Sequence, residues 1–253
     1  VTEGAIDDSI RHALTKLAAV HFPTNAESAS RIVQMGENPS RVHNVGSTGI
    51  DRIRDHEPMA REAFFTSVDL APRERNFLVT LHPATLSADS IGQARAVLDA
   101  LERFPEAGLI FTGSNADPGA REVDALVRAR CAPGERAVFH ASLGSRRYLS
   151  ALSHCDLVLG NSSSGCMEAP SFRCPTVNVG DRQKGRPRAR SVFDCEPTPG
   201  AVVAAIHRAL AFDRGTVENP YGDGKAAKRI VEVLSAEPSP ERLVRKSFVD
   251  LTR

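Results

Sequence analysis

Residues 156 to 172 read DLVLGNSSSGCMEAPSF, and this stretch decides the fold class. Asp156 to Leu159 is a short apolar run typical of a buried strand, and a loop of small and polar residues leads from it into a helix predicted over 166–171. Glycine and serine let a backbone approach a ligand closely, and a helix N-terminus favours phosphate. No Lys-Ser/Thr pair follows Gly165, so the loop is not a Walker motif. From the residues alone, phosphate binding and an ordinary capped helix are equally open.

Alternating strands and helices continue on both sides of this stretch. Helices are predicted over 87–103, 120–130 and 145–154, and another begins at Thr198 with Pro199 in its first turn. This alternation predicts an α/β fold, with a Rossmann-type parallel sheet and helices on both faces. The predicted strands are 77–81, 108–113, 137–140, 156–159 and 175–179, with 191–193 a candidate for one more.

The first 54 residues show the same alternation with shorter strands, at 21–24 and 41–45. Helices are predicted over 5–20, 26–35 and 48–54. The charged stretch from 55 to 75 contains Pro58 and Pro72 and predicts a domain boundary. We therefore divide the chain into residues 1–60 and residues 61–253. In the first helix Ile6, Ile10, Leu14 and Leu17 share one face.

The composition excludes several classes of protein. The 253 residues are 41% hydrophobic and 25% charged with a net charge of +1, which is unlike a disordered chain and unlike a nucleic-acid binder driven by charge. No apolar run reaches the roughly 18 residues that span a membrane, and no secretory signal is visible. The cysteines are odd in number without a C-x-x-C pair, which predicts free thiols in a reducing compartment, the cytoplasm, and no zinc site. They are Cys131, Cys155, Cys166, Cys174 and Cys195.

Four polar loops follow predicted strands: 82–83, 112–117, 160–165 and 180–186. Taken singly, a lone histidine is more often structural and a basic loop is more often a solvated surface. Because the carboxyl ends of parallel strands lie at one edge of a sheet, we expect the four loops to converge there and to bind an anion. The last loop supplies most of a basic cluster, Arg182, Lys184, Arg186 and Arg188.

The loops resemble, in order, those of the hydrolysing UDP-N-acetylglucosamine 2-epimerases, which supply N-acetylmannosamine for sialic-acid-type sugars. The non-hydrolysing relatives have GHRRE where this chain has LHPAT, and they lack IDDSIRH. The matching stretches are VTEGAIDDSIRHALTKLA (1–18), LVTLHP (78–83), TGSNADPG (112–119), GNSSSGCMEAPSF (160–172), VNVGDRQKGR (177–186) and NPYGDGKAAKRI (219–230).

The resemblance implies a two-domain, glycosyltransferase-B-like fold that binds UDP in the C-terminal domain, at the cleft between domains. The family's N-terminal domain begins well over a hundred residues before the IDDSIRH helix. We therefore expect residues 1–60 to be a remnant of an incomplete N-terminal domain, in a chain that is a fragment or a truncated product. Such a chain should bind UDP without turnover, and its uncovered apolar surface should favour self-association.

The resemblance also implies roles for individual residues. By spacing alone, Asp7 and Asp8 are an acidic helix start with surface partners Arg11 and His12 at i+4; the resemblance makes Asp7 a catalytic carboxylate, with Asp8 the alternative. His82 would face it across the cleft, and no metal or other cofactor is implied. The remaining assignments are Ser162, Ser163 and Gly165 to the diphosphate, Glu168 to the ribose, Arg182 to diphosphate or sugar charge, and Asn115 and Asp117 near the nucleotide.

The implied reaction removes the C2 proton as UDP leaves C1, giving a glycal that water then converts to free N-acetylmannosamine. Diacetylated 6-deoxy sugars on UDP, used in bacterial sialic-acid-like pathways, are alternative substrates. Two other functions remain open: a sugar-nucleotide glycosyltransferase of the same fold, and a UDP-binding module without activity. A homo-oligomer that uses the helix at 5–20 is possible, and no nucleic acid or membrane partner is expected.

Overall fold

A computed structural model describes residues 6–83, 89–115, 117–132, 134–237, 239, 241, 243 and 245–250, with side chains described from Asp8 onward, Thr216 excepted. The chain divides into two compact units. Unit 1 comprises Val1–Asp55, Lys184–Pro187 and Asn219–Arg253, and unit 2 comprises His56–Gln183 and Arg188–Glu218. Numbered along the described chain, the α-helices are α1 Ile6–Leu17, α2 Ala26–Gln34, α3 Thr48–Arg54, α4 Arg61–Ser67, α5 Ser90–Leu101, α6 Ala120–Arg128, α7 Gly144–His154, α8 Ser163–Met167, α9 Pro199–Leu210 and α10 Ala226–Ser235.

Unit 2 is built on a parallel sheet of six strands in the order β3-β2-β1-β4-β5-β6. The register pairs Thr80 with both Thr112 and Gly160, so the carboxyl ends of the three central strands lie level. The sheet confirms the predicted α/β fold, and the candidate strand at 191–193 is real. The strands are β1 Arg75–Thr80, β2 Ala107–Thr112, β3 Ala137–His140, β4 Leu157–Gly160, β5 Thr176–Val179 and β6 Val192–Cys195.

Helices cover both faces of the sheet. Phe77, Phe111 and Leu159 are almost completely buried in a core that α5, α6 and α9 close on one face. Helices α7 and α8 pack on the other face, and α4 packs against α7. A parallel sheet that is buried on both sides requires apolar residues at nearly every strand position, which explains why its strands read as continuous apolar runs in the sequence.

Several predicted boundaries differ from the structure. Helix α4 lies within the charged stretch predicted as a boundary, where the buried Phe64 and Phe65 anchor it. The strands predicted at 21–24 and 41–45 reduce to one parallel bridge between His21 and Val42. The start of the helix predicted from Ser87 lies outside the described residues, and the described helix α5 begins at Ser90.

The C-terminal residues complete unit 1, whereas the sequence predicted one domain over 61–253. Asp51 of α3 accepts hydrogen bonds from the backbone N–H groups of Ala226 and Ala227, at 2.9 and 2.7 Å, and so caps α10. The Ser47 N–H group donates to the carbonyl of Tyr221 at 2.7 Å. These bonds explain why residues from Asn219 onward group with the N-terminal segment. In the described part of the chain, no helix has the length and apolar character needed to cross a bilayer.

Candidate functional site

The candidate site lies where β1 and β4 meet, since the sheet order reverses its direction between these two neighbouring strands. His82 follows β1, and Asn161 follows β4. The His82 N–H group donates to Asn161 Oδ1 at 2.8 Å, and Asn161 Nδ2 donates to the His82 carbonyl at 2.8 Å. Asn161 is buried, so its side chain extends the pairing of the two strands beyond their last residues.

Gly160 makes this close approach possible. Its φ is +132°, and a Cβ atom there would lie 1.9 Å from the carbonyl oxygen of Thr80. That oxygen accepts a hydrogen bond from the Asn161 N–H group at 3.2 Å. No larger residue fits without moving backbone, so the glycine is required by the geometry of the strand ends.

The His82 ring is held in one tautomer. Its Nδ1 atom accepts a hydrogen bond from the Asn115 N–H group at 3.0 Å, which places the proton of the neutral ring on Nε2. Burial, and then the positive charge of Arg182, lower the pKa of His82 to about 4. At neutral pH the ring is therefore an uncharged donor at Nε2.

The basic loop after β5 is tied to the same point. The Asn161 carbonyl accepts hydrogen bonds from Arg182 Nη1 at 3.2 Å and from Gln183 Nε2 at 2.8 Å. Arg182 also pairs with Asp117, with 3.8 Å between Nη2 and Oδ2. The structure thus joins His82, Asn115, Asp117 and Arg182, as expected of loops at one sheet edge.

The serine loop belongs largely to α8, which begins three residues earlier than predicted. Ser162 is its N-cap, and the Ser162 hydroxyl lies 3.4 Å from the N–H group of Ser164. Serine is a strong N-cap residue, so a helix can begin directly after the strand. Gly165 lies inside this helix against β5, where a Cβ atom would meet Thr176 Cγ2 at 2.5 Å. This contact gives Gly165 a packing role, and its diphosphate contact stays a prediction.

Glu168 ends α8, where its N–H group donates to the Ser164 carbonyl at 2.8 Å and its side chain is half-buried. Tyr148 of α7 lies beside this helix. Burial raises the pKa of Tyr148, with the Ser164 hydroxyl and the Glu168 carboxylate among its neighbours. The phenol is therefore un-ionised.

Asp7 and Asp8 lie in the first turn of α1, in unit 1. Asp8 pairs with His12 at 3.6 Å, which confirms the expected i, i+4 neighbours. The Asp7 side chain lies outside the described side chains, so its predicted pairing with Arg11 stays a prediction. All the other candidates belong to unit 2. The joint action of Asp7 with His82 therefore stays a prediction.

Sequence reasoning missed three polar residues at this edge: Asn161, Gln183 and Tyr148. The first two stand in the quoted stretches GNSSSG and GDRQ, so the motifs contained them. Their importance lies in contacts with backbone atoms 79 and 22 residues away, and no local pattern shows such contacts.

An open cleft of about 590 Å³ lies at the ends of β5 and β6, beside this edge. Asp181, Asp194 and Glu196 line it together with Gly180 and Cys195. A lining with three carboxylates repels a diphosphate, so we do not place the anion there.

Among the described residues no three His, Cys, Asp or Glu side chains cluster as metal ligands do.

Comparison with known proteins agrees with this architecture. The family model described as UDP-N-acetylglucosamine 2-epimerase matches residues 1–235. The chain is 36% identical to the polysialic acid biosynthesis protein P7 of Escherichia coli over 97% of this chain, and 31% identical to the UDP-N,N'-diacetylbacillosamine 2-epimerase (hydrolyzing) of Legionella pneumophila over 96%. It spans 64% of the length of each relative, which is less than two thirds.

The fold is that of glycosyltransferase-B-like epimerases. The crystal structure of the Methanocaldococcus jannaschii UDP-GlcNAc 2-epimerase, in complex with UDP-GlcNAc and UDP, superposes with a TM-score of 0.70 at 18% identity. The superposition covers 87% of this chain and 61% of that one. Both the family match and the fold lead to one conclusion: this chain belongs to the UDP-N-acetylglucosamine 2-epimerase family.

Proposed function

We propose that the protein carrying this chain is a hydrolysing 2-epimerase that converts a UDP-2-acetamido sugar and water into UDP and the free 2-epimeric sugar. The observation that carries the proposal is the interlocked group of His82, Asn161 and Arg182 at the point where β1 and β4 meet. It brings a neutral donor and a cation together where α/β sheets bind ligands. The relatives support the same class of reaction.

In this proposal unit 2 binds the nucleotide. The diphosphate contacts the hydroxyls of Ser162 and Ser163 at the start of α8, with Gly165 behind them and Arg182 as the counter-charge. Glu168, one turn further, accepts hydrogen bonds from the ribose hydroxyls. Asn115 and Asp117 act through the residues that they hold, since Asn115 fixes the His82 ring and Asp117 pairs with Arg182.

The first chemical step is an elimination. A carboxylate of α1, Asp7 or its neighbour Asp8, takes the proton from C2, and the C1–O bond breaks with its electron pair going to the departing diphosphate. A double bond forms between C1 and C2. Charge develops on the leaving phosphate, where Arg182 and the Nε2–H of His82 stabilise it. His82 fits this donor role better than a base, because Nδ1 is occupied and Nε2 carries the proton.

The second step is hydration. Water adds its hydroxyl at C1, and a proton returns to C2 on the face opposite to the one that lost it. The free sugar therefore has the inverted configuration at C2. Two opposed proton movements require groups on both sides of the sugar. Because the chain spans 64% of the length of its relatives, we expect the 253-residue chain by itself to bind UDP without turning over substrate.

UDP-N-acetylglucosamine is the first substrate to test, and the product would then be N-acetylmannosamine, a precursor of sialic-acid-type sugars. The name of the Legionella relative makes UDP-N,N'-diacetylbacillosamine the second substrate to test.

The thiols of Cys155 and Cys174 are buried, and burial raises their pKa values. They would persist as thiols in a reducing cytoplasm, which we propose as the location of the protein.

The test is to incubate full-length protein with each UDP-sugar and to follow the products by NMR. Equal amounts of UDP and free 2-epimeric sugar support the proposal. Transfer of the sugar to an added acceptor alcohol would identify a glycosyltransferase instead. Binding of UDP without turnover of any UDP-sugar would leave only a nucleotide-binding function.

A further inference from the structure

The carboxylate of Glu37 in unit 1 is almost completely buried, with 2% of its side chain exposed. It accepts hydrogen bonds from Lys16 Nζ at 2.7 Å, His21 Nε2 at 2.9 Å and Lys246 Nζ at 2.6 Å. Burial alone raises the pKa of Glu37, but the bonds from Lys16, Lys246 and His21 outweigh burial and lower the pKa to about 2. A buried carboxylate holds its cationic partners in place, because the loss of a partner would leave buried charge uncompensated.

Lys246 connects this point to the end of α1. Its Nζ atom lies 2.9 Å from the carbonyl oxygen of Thr15, 2.9 Å from that of Lys16 and 2.7 Å from that of Ala18. These carbonyl groups lie at the C-terminal end of the helix. Carbonyl groups at such an end lack partners within the helix and carry partial negative charge. The ammonium group of Lys246, in the C-terminal segment, therefore caps α1 and binds Glu37 at the same time.

Apolar burial contributes little to holding α1 in unit 1. None of its described side chains, from Asp8 to Leu17, is buried, and Ile10, Leu14 and Leu17 are 52%, 57% and 81% exposed. The apolar face that these residues share is thus open within this unit. The contacts that locate the helix are polar and lie at its C-terminal end, where Lys16 also donates to the Met35 carbonyl at 3.0 Å.

The C-terminal segment around Lys246 is itself fastened to the turn that follows α2. The Val249 N–H group donates to the Gly36 carbonyl at 3.0 Å. Gly36 has a φ of +82°, and a Cβ atom there would lie 2.4 Å from the Phe248 ring. The segment therefore reaches Glu37 from a defined direction, and the fastening depends on a glycine at 36.

We propose that Lys246 is a positioning residue for the carboxylates at the opposite end of α1. The inference rests on the proposed function, in which Asp7 or Asp8 takes the C2 proton. Eight residues separate Asp7 from Thr15, a lever of about 12 Å at 1.5 Å per residue. A tilt of roughly 5° at the anchored end moves the carboxylate by about 1 Å, and such a displacement can reduce a rate by about a hundredfold.

The test compares Lys246→Met with Lys228→Met in full-length protein. Lys228 lies in the same unit, and its exposed side chain pairs with Glu232 at 3.8 Å. For Lys246→Met we expect kcat to fall at least tenfold while KM and the Kd of UDP stay within twofold. The α1 amides should exchange hydrogen faster than in the control. Lys246→Arg, which restores a cation, should recover part of kcat.

Phe248→Ala provides a second, milder variant, since it loosens the same segment and keeps the contacts of the Lys246 ammonium group, while it removes the Phe248 ring, whose centroid lies 4.8 Å from Lys16 Nζ. Unchanged exchange of the α1 amides in both variants would overturn the proposal. So would faster exchange with unchanged kcat, because Lys246 would then be merely structural. If unmodified protein turns over no UDP-sugar, the proposed function fails and the positioning role fails with it. The exchange measurement would still decide whether Lys246 anchors α1.

Discussion

Asn161 and His82 exchange two hydrogen bonds of 2.8 Å each, between the side-chain amide of one residue and the backbone of the other. The Asn161 side chain takes the place of a further ladder position between β1 and β4. The Asn161 carbonyl at the same time holds Arg182 and Gln183. One buried amide residue thus fixes the relative position of three loops of the candidate site.

The first prediction concerns this amide. Asn161→Ala leaves two part-buried backbone groups of His82 without their Asn161 partners, and we expect a loss of about 1–3 kcal/mol in the free energy of unfolding. The affinity for UDP should fall at least tenfold, measured by calorimetry. Asn76→Ala is the matched control, since Asn76 is equally buried and bonds Arg73 at the amino end of β1. The control should lose similar stability and keep its UDP affinity; an equal loss of affinity in both would refute the site.

Gly160→Ala tests the close approach of the strand ends. The added methyl group would meet the Thr80 carbonyl, and alanine disfavours the backbone conformation of this residue. We expect a loss of about 3 kcal/mol or more in denaturant unfolding. At Gly200 an added Cβ atom would meet none of the described residues within 4 Å beyond its own helix backbone, so Gly200→Ala should stay within about 0.5 kcal/mol of the unmodified protein. A Gly160→Ala protein of unaltered stability would contradict the geometry.

The nucleotide assignment predicts different losses for two ligands. Ser162→Ala and Ser163→Ala should each weaken the binding of UDP by about 0.5–1.5 kcal/mol, the range for one neutral hydrogen bond. Glu168→Gln should weaken the binding of UDP more than that of pyrophosphate, because a carboxylate accepts hydrogen bonds from ribose hydroxyls and contributes nothing to binding a phosphate. Ser153→Ala, on the exposed side of α7, is the control. Equal losses for UDP and pyrophosphate in Glu168→Gln would show that Glu168 only supports the helix end.

The lowered pKa of His82 predicts that the stability of the fold decreases in acid. Its pKa is lowered from 6.5 to about 4, so between these values the unfolded chain binds a proton that the folded chain does not. The contribution of neutral His82 to the free energy of unfolding is complete above pH 6.5. As the pH falls from 6.5 towards 4, the free energy of unfolding decreases by up to about 3 kcal/mol. His82→Gln should flatten that part of the stability curve. His207→Gln changes a histidine that is exposed on α9 and serves as the comparison; a curve that stays as steep in His82→Gln as in His207→Gln would exclude His82 as the source of the slope.

The sheet of unit 2 could be predicted because strands buried on both faces appear as unbroken apolar runs, as in FLVTL and DLVL. The convergence of His82 and Arg182 followed from the general rule on strand ends. Helix α4 could not be predicted, since Arg61 and Glu62 make the local composition that of a loop while Phe64 and Phe65 supply the burial.

Other features depend on contacts that no local pattern reveals. The roles of Asn161 and Gln183 are bonds to distant backbone. The face of α1 that carries Leu14 has the spacing of a buried face and is exposed within unit 1. Periodicity shows that a helix has an apolar side, but it does not identify what covers that side.

The bonds from Asp51 to Ala226 and Ala227 join residues 175 and 176 positions apart. A ribosome delivers the chain from its amino end, so α3 emerges long before the helix that it caps. The sheet is complete once Cys195 has emerged, whereas the earlier unit still lacks its final pieces. Within these residues, unit 1 therefore completes its folding after the sheet of unit 2, although its first helices are synthesised earlier.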